Sequence, residues 1–364
     1  MKNNLEFLAT AIGSLPHQNS NEAVDLIFNT IGDAPLCPQL SHVNPNEDML
    51  IQYTENFAGM EIDEETNKRF VDLESDEYFV ALEELFADYE EVIAADELND
   101  EILQKYAITP EYSSAFPYFL EKLQQTKPEY VKGQVIGPFT FGTSTFDTEN
   151  KCVFYDETYR EVIVKTLTLK ALWQVNEFRK VSPNSKNIIF FDEPTMSQFG
   201  TSAFLTVSAE DIQLCINQIA DILHKFNVLI GMHCCGKADW SVVLNTGLDI
   251  INFDAFFFSE NFSLFSKEIE KFLDKNGIIA WGIIPTLDVD ALNNTNTQKL
   301  IDIFENAKNL LVSKGIEEQQ ILNASIITPS CGAGSLSIEN AIKAMNYLKE
   351  VSDCLKTKYA KEHA

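Results

Sequence analysis

Two short stretches of this sequence combine thiols with small residues in a way that suits a soft metal ion. Val228-Leu229-Ile230-Gly231-Met232 runs straight into His233-Cys234-Cys235-Gly236. Far downstream, Ile326-Ile327-Thr328-Pro329-Ser330 runs into Cys331-Gly332-Ala333-Gly334. If each apolar run is a strand, alternation puts His233 and Cys235 on one face and Cys234 on the other. An imidazole nitrogen with two thiolates is a zinc donor set, and three protein ligands leave one exchangeable position, as in catalytic rather than structural sites. His233, Cys235 and Cys331 are therefore the candidate metal ligands. Three other runs end in residues that can hold or polarise a substrate: Ile12-Gly13-Ser14-Leu15-Pro16, Gly137-Pro138-Phe139-Thr140 and Phe191-Asp192-Glu193-Pro194. Plainer explanations exist for each. Asp192 and Glu193 suit the cap of a helix whose first turn holds Pro194, and lone histidines and thiols often sit in cores. Cys37, Cys152, Cys215 and Cys354 read as core or helix residues without a function.

What gathers the chemical residues is their place at the ends of apolar runs. Eight runs end near Ile12, Cys37, Ile136, Asp192, His233, Phe253, Ile284 and Thr328, and most connections between them are long enough for a helix. This alternation predicts an α/β fold, a single (β/α)8 TIM-type barrel over residues 1–364, with its active site at the C-terminal ends of the strands. A doubly wound open sheet is the alternative, but no Gly-x-Gly-x-x-Gly follows any run and there is no P-loop. Residues 60–130 read as an acidic, mainly helical insertion after the second strand. Between Glu61 and Glu101, 17 acids stand against Lys68 and Arg69, so this stretch carries −15 of the chain's −28. Leu82, Leu85, Phe86, Tyr89, Val92 and Ile93 recur there at helical spacing, with acids on the other positions. That predicts an amphipathic helix with a solvated face, the alternative being a docking surface for a basic partner.

Composition bounds the rest. The 364 residues are 45% hydrophobic and include 26 Phe, enough for a large core and incompatible with wholesale disorder. With 27 bases against 55 acids, the net charge of −28 repels phosphate backbones and anionic lipid surfaces, so no nucleic acid and no membrane is expected as a partner. The first residues lack a secretory apolar core, and no run approaches 18 apolar residues. Seven cysteines, two of them adjacent, suit a reducing compartment, and a cytoplasmic location is expected.

Taken together, these stretches resemble the catalytic domain of cobalamin-independent methionine synthases, within the wider uroporphyrinogen decarboxylase and methionine synthase superfamily. Ile12-Gly13-Ser14-Leu15-Pro16 is similar to the family's Ile-Gly-Ser-Phe-Pro, Gly137-Pro138-Phe139-Thr140 to its Gly-Pro-Val-Thr, and Asp192-Glu193-Pro194 to its Asp-Glu-Pro. His233-x-Cys235 and Cys331 match its zinc ligands, and Asp254 falls where the family's remaining ligand, a Glu, would stand. The resemblance implies a Zn2+-dependent methyltransferase that transfers a methyl group to a zinc-activated thiolate, most simply homocysteine, giving methionine. It implies that Ile12, Gly13 and Ser14, with Asp192 and the adjoining Glu193, bind the amino-acid end of the acceptor. Asp192 is the expected catalytic residue. Besides Asp254, three positions depart from the family: Val43 stands where a Glu holds the substrate amine, Ser144 where a Trp packs on folate, and Leu287 where a His lies. The last two fall on donor binding, so a methylcorrinoid, carried by a partner corrinoid protein, is the expected donor rather than methyltetrahydrofolate. The alternatives are a corrinoid:thiol methyltransferase of the coenzyme M type and a non-catalytic zinc-binding relay for thiols or methyl groups.

Overall fold

The computed structural model describes residues 5–63, 66 and 68–360. The chain opens with irregular backbone, the helix Ser20–Ile31 and a loop region, then a small antiparallel hairpin of β1 (Met60–Ile62) and β2 (Arg69–Val71). Helices Asp76–Ala94, Asp100–Gln104 and Phe116–Thr126 follow. Beyond them lie six parallel strands in sequence order: β3 (Tyr130–Ile136), β4 (Lys186–Asp192), β5 (Val228–Cys234), β6 (Ile250–Phe253), β7 (Ile278–Ile284) and β8 (Ser325–Pro329). They form one curled sheet, and helices packed on its outer face occupy most of the connections, among them Glu157–Val181, Ala209–Lys225 and Thr297–Ser313. The helix starts are chemically marked. Asp156 caps Glu157–Val181 through the Tyr159 N–H, and Ser208 with Asp211 forms a capping box on Ala209–Lys225.

Six of the eight expected strands are present, ending at or within one residue of the anticipated positions. The runs ending at Ile12 and Cys37 are not strands. They contribute isolated parallel bridges, Ala9 to Ile327, Leu36 to Lys132 and Ser14 to Gln39. The reason lies in the backbone. Pro35 and Pro38 bracket the second run and lack ladder donors, and Phe7, with φ of 53°, breaks the extension just before the first.

Side-chain alternation splits the sheet into two apolar faces. Val228, Ile230, Met232 and Cys234 face outward into the large core beneath the helices, together with Ile189, Phe191, Ile251, Phe253 and Trp281. The inner face starts as a compact apolar plug of Tyr130, Ile188, Phe190, Ile250, Ile278, Ala280 and Ile326, reached by Leu8 and Ile12 from the first segment. Above that plug the inward positions turn polar: Lys132, Gln134, Asp192, His233, Asn252 and Thr328, all buried. This change of character along one face is what places chemistry at the strand ends.

The expected amphipathic helix is Asp76–Ala94, with Leu85, Tyr89 and Val92 buried. Its acids are not confined to the solvated side. Asp88 lies on the buried face, where it accepts hydrogen bonds from Lys105 Nζ and Tyr106 Oη at 3.0 Å. Phe86 and Tyr89 of the same face each lie 4.7 Å from the ammonium of Lys165, on the helix beneath. No helix among the described residues is long and apolar enough to cross a membrane.

Candidate metal centre

His233 sits on the inner face of β5, and Cys235 follows two residues later on the same side. Cys331 enters from the loop after β8. One ligand atom from each of the three lies within 4.8 Å of the others. Cys234, on the opposite face, is completely buried in the outer core, and burial pushes its thiol up to about 12. Among the grouped thiols, Cys235 is held well below the ordinary range by the adjacent Cys331 S–H and by His233, against the effect of burial. Cys331 moves the opposite way, through its hydrogen bond to Cys235 and its burial.

That nitrogen is the observation that tests the metal. His233 Nε2 is buried and has no hydrogen-bond partner. Such an orphan costs about 1–3 kcal/mol unless something fills it. An unpartnered ring nitrogen grouped with two sulfurs fits a soft cation, and the N, S, S donor set fits zinc. Zinc is therefore compatible with the residues present, with His233, Cys235 and Cys331 as its holders.

The triad opens onto a cavity of about 420 Å³ whose lining includes Ile12, Ser14, Asp192, Pro194 and Leu287. Asp192 is 3% exposed, and its Oδ1 lacks a partner. Burial raises its carboxyl above the ordinary range, opposed by His233 and Lys132. Gly13 lies beside the cavity, where a Cβ would fall 1.7 Å from Gln134 Nε2, so any larger residue would displace the Gln134 side chain. The Ser14 hydroxyl accepts from Gly334 N at 3.2 Å, and the Ser14 carbonyl accepts from Ala333 N at 2.9 Å, tying the first segment to the Cys331 loop. Val43 is an exposed surface residue at 38%.

Fold comparison adds to this geometry. No protein-family model matches the chain, and no curated protein matches it. Among solved structures, a B12-independent methionine synthase from Shewanella sp. W3-18-1, in complex with selenomethionine, aligns over 98% of this chain and 99% of its own, with a TM-score of 0.56 at 12% sequence identity. The chain shares its fold with that methionine synthase. A Cellulomonas fimi endo-β-1,4-mannanase double mutant corresponds much more loosely, over 70% of this chain and 59% of its own, with a TM-score of 0.38 at 14% identity.

Two anticipated site residues have other engagements. Asp254 is not among the three grouped ligands; it caps the helix Ala255–Ser263, its Oδ1 accepting from Phe257 N at 3.0 Å. Its Oδ2 is buried without a partner, and burial pushes the carboxyl up to about 7. Glu193, expected to bind substrate, turns away from the cavity. Its carboxylate accepts from Phe139 N at 2.9 Å, Thr140 N at 2.8 Å and Thr140 Oγ1 at 2.6 Å, capping the helix Pro138–Ser144. So the cap suggested by the Asp-Glu-Pro stretch exists, but on the helix after the neighbouring strand. Gly137 makes room for it, since a Cβ there would lie 2.0 Å from Glu193 Cδ.

Glu193 carries a pH prediction. Burial pushes its carboxyl from 4.5 up to about 7, against the Thr140 hydroxyl and the two N–H donors. Between those values the folded state holds a proton that the unfolded state has lost. Its contribution to stability is therefore full below about 4.5 and declines as the pH rises to about 7, by up to roughly 3 kcal/mol. Urea unfolding from pH 4.5 to 7.5 should show this decline together with that from Asp254, and Glu193→Gln should make it shallower; an equally steep decline in the variant would exclude Glu193 as a source.

Two residues that support the site were not singled out from the sequence. Asn252, the register partner of His233 across β5 and β6, bonds His233 Nδ1 through Oδ1. Thr286 grips the Cys331 backbone from both sides, its hydroxyl accepting from Cys331 N at 3.1 Å and donating to Cys331 O at 2.8 Å. The only signal for Asn252 was a polar residue at an inward position of an apolar strand. Thr286 left none.

Proposed function

We propose that this protein is a zinc-dependent methyltransferase that methylates a thiol, with homocysteine as the acceptor and methionine as the product. The observation that carries the reading is the unpartnered, buried Nε2 of His233 beside Cys235 and Cys331, at a cavity in a fold shared with a methionine synthase. When bound, zinc supplies a Lewis acid that makes a thiol, ordinarily of pKa about 8.5, a thiolate at neutral pH. His233, Cys235 and Cys331 would hold it, with Asp254, whose Oδ2 is uncommitted, as the fourth member of the donor set. Asp192 would take the acceptor's ammonium on its free Oδ1, next to Ile12 and Ser14. Pro194 and Leu287 line the same cavity and limit water around the sulfur.

The finer fold reading belongs to the same proposal: one closed (β/α)8 domain with an acidic insertion at 60–130. Its support is a set of hydrogen bonds at the two sheet edges, Thr10 N to Ile327 O at 3.1 Å and Lys132 N to Pro35 O at 2.9 Å, with Gln39 N to Gly13 O at 2.9 Å between the two irregular segments. A methylcorrinoid borne by a partner protein as donor, and a cytoplasmic location, complete it. The coenzyme M type of acceptor, an anionic sulfonate, suits the cavity less well. Its lining contains Glu47, Asp48 and Asp192 and, among the described residues, no Lys or Arg.

Zinc K-edge absorption with and without homocysteine tests the proposal. Two sulfur neighbours rising to three is the expected result, followed by single-turnover transfer from methylcorrinoid. Absence of zinc from protein purified without chelator would overturn it, and an unchanged sulfur count would overturn homocysteine. Zinc and homocysteine binding without transfer would favour the relay reading.

A further inference from the structure

We infer that Asn252 is the positioning residue of the metal centre: it keeps the His233 proton on Nδ1 and thereby presents the Nε2 lone pair to Cys235 and Cys331. The inference rests on the reading of His233 as a metal ligand, and its argument is one of hydrogen-bond direction. A side-chain amide can face either way, and only its neighbours decide which end is oxygen. Here Asn252 Nδ2 lies 2.9 Å from the Ala280 carbonyl oxygen, which accepts and cannot donate. The second N–H goes to Thr328 Oγ1 at 2.7 Å. Both amide hydrogens are spent on β7 and β8, so Oδ1 is the end that meets His233 Nδ1 on β5. An amide oxygen only accepts, so Nδ1 carries the ring proton and Nε2 is left with its lone pair.

Burial makes this arrangement decisive. Asn252 and Thr328 are 0% exposed and His233 is 3% exposed, so no bulk water competes for the ring or the amide. The amide is also cross-braced by three strands, and reversing it would set N–H against N–H at His233 and oxygen against oxygen at Ala280. Its neutrality matters as much as its direction. The pocket already holds Cys235, Cys331, Asp192 and Asp254, and an acceptor without charge orients the imidazole without adding a further acid to a water-free interior. Orientation of a ligating imidazole through its second nitrogen is worth roughly tenfold to a hundredfold in metal affinity.

The test has two independent readings. In metal-free protein, at a pH high enough for the ring to be neutral, 15N NMR of His233 should show the Nδ1–H tautomer alone. Asn252→Ala should mix the tautomers and weaken zinc, measured by chelator competition, by roughly tenfold to a hundredfold. Thr328→Val leaves the Ala280 carbonyl to orient the amide and should stay within about threefold of the parent. An Nε2–H tautomer in the unaltered protein would overturn the inference whether or not any variant folds, as would unchanged zinc affinity in folded Asn252→Ala. Failure of the unaltered protein to bind zinc would instead sink the metal reading, while the tautomer measurement still decides the role of Asn252.

Discussion

Cys235→Ala is expected to abolish stoichiometric zinc, whereas Cys234→Ala, one residue earlier, is expected to retain it. Sites built from imidazole and thiolate bind zinc with about 10 kcal/mol or more, so deleting one of three donors removes on the order of 3 kcal/mol, over a hundredfold in dissociation constant. Cys331→Ala should behave like Cys235→Ala. Cys234 instead packs in the outer core with Met232 and Phe253, so its truncation costs folding stability, about 1 kcal/mol, and no metal. Chelator competition and thermal unfolding of the metal-free proteins should therefore separate the neighbours in opposite senses. Equal zinc losses from both variants would refute the assignment by strand face.

Asp192→Asn should weaken homocysteine binding by roughly thirtyfold to several thousandfold while raising resistance to unfolding. Both effects have one origin. The carboxylate is buried with an unpartnered oxygen, an arrangement that costs stability until an ammonium arrives. Removing the charge takes away a buried charge-assisted contact worth about 2–5 kcal/mol and also relieves the empty site. Calorimetry with homocysteine and with 3-mercaptopropionate, which lacks the amine, isolates the contact. Binding of the amine-free thiol should change little in the variant. A comparable loss for both thiols would mean that Asp192 acts on the metal or the fold rather than on the ammonium.

The strands from Tyr130 onward were legible because buried parallel strands are written as runs of branched and aromatic residues, and their ends stand out where small or polar residues begin. The first two were misread for the converse reason. Ala11-Ile12 and Leu36-Cys37 look like strand ends, but Phe7 and the flanking prolines limit each segment to single bridges. Alternation, which separated Cys234 from Cys235, also carried the information that Asp192 and Glu193 face opposite ways. Applying it there would have sent Glu193 to the helix cap. The roles of Asn252 and Thr286 were not legible, because each follows from which strands become neighbours and no local spacing records that. Asp88 was misassigned to solvent because periodicity locates a helix face without showing that Lys105 and Tyr106 await an acid there.

The grip of Ser14 on the Cys331 loop has a consequence for the order of folding. His233 and Cys235 are neighbours in the chain and arrive together, but Cys331 takes its place only after β8 is laid down and the opening segment has returned to meet it through Thr10, Ser14 and Ala333. The third donor is thus a signature of chain closure, set by contacts between the opening segment and the last strand whose large sequence separation slows their formation. Until then the chain lacks the Cys331 donor in its place beside His233 and Cys235. An ion captured after that point would act as a latch, slowing the opening of the finished protein without hastening its formation.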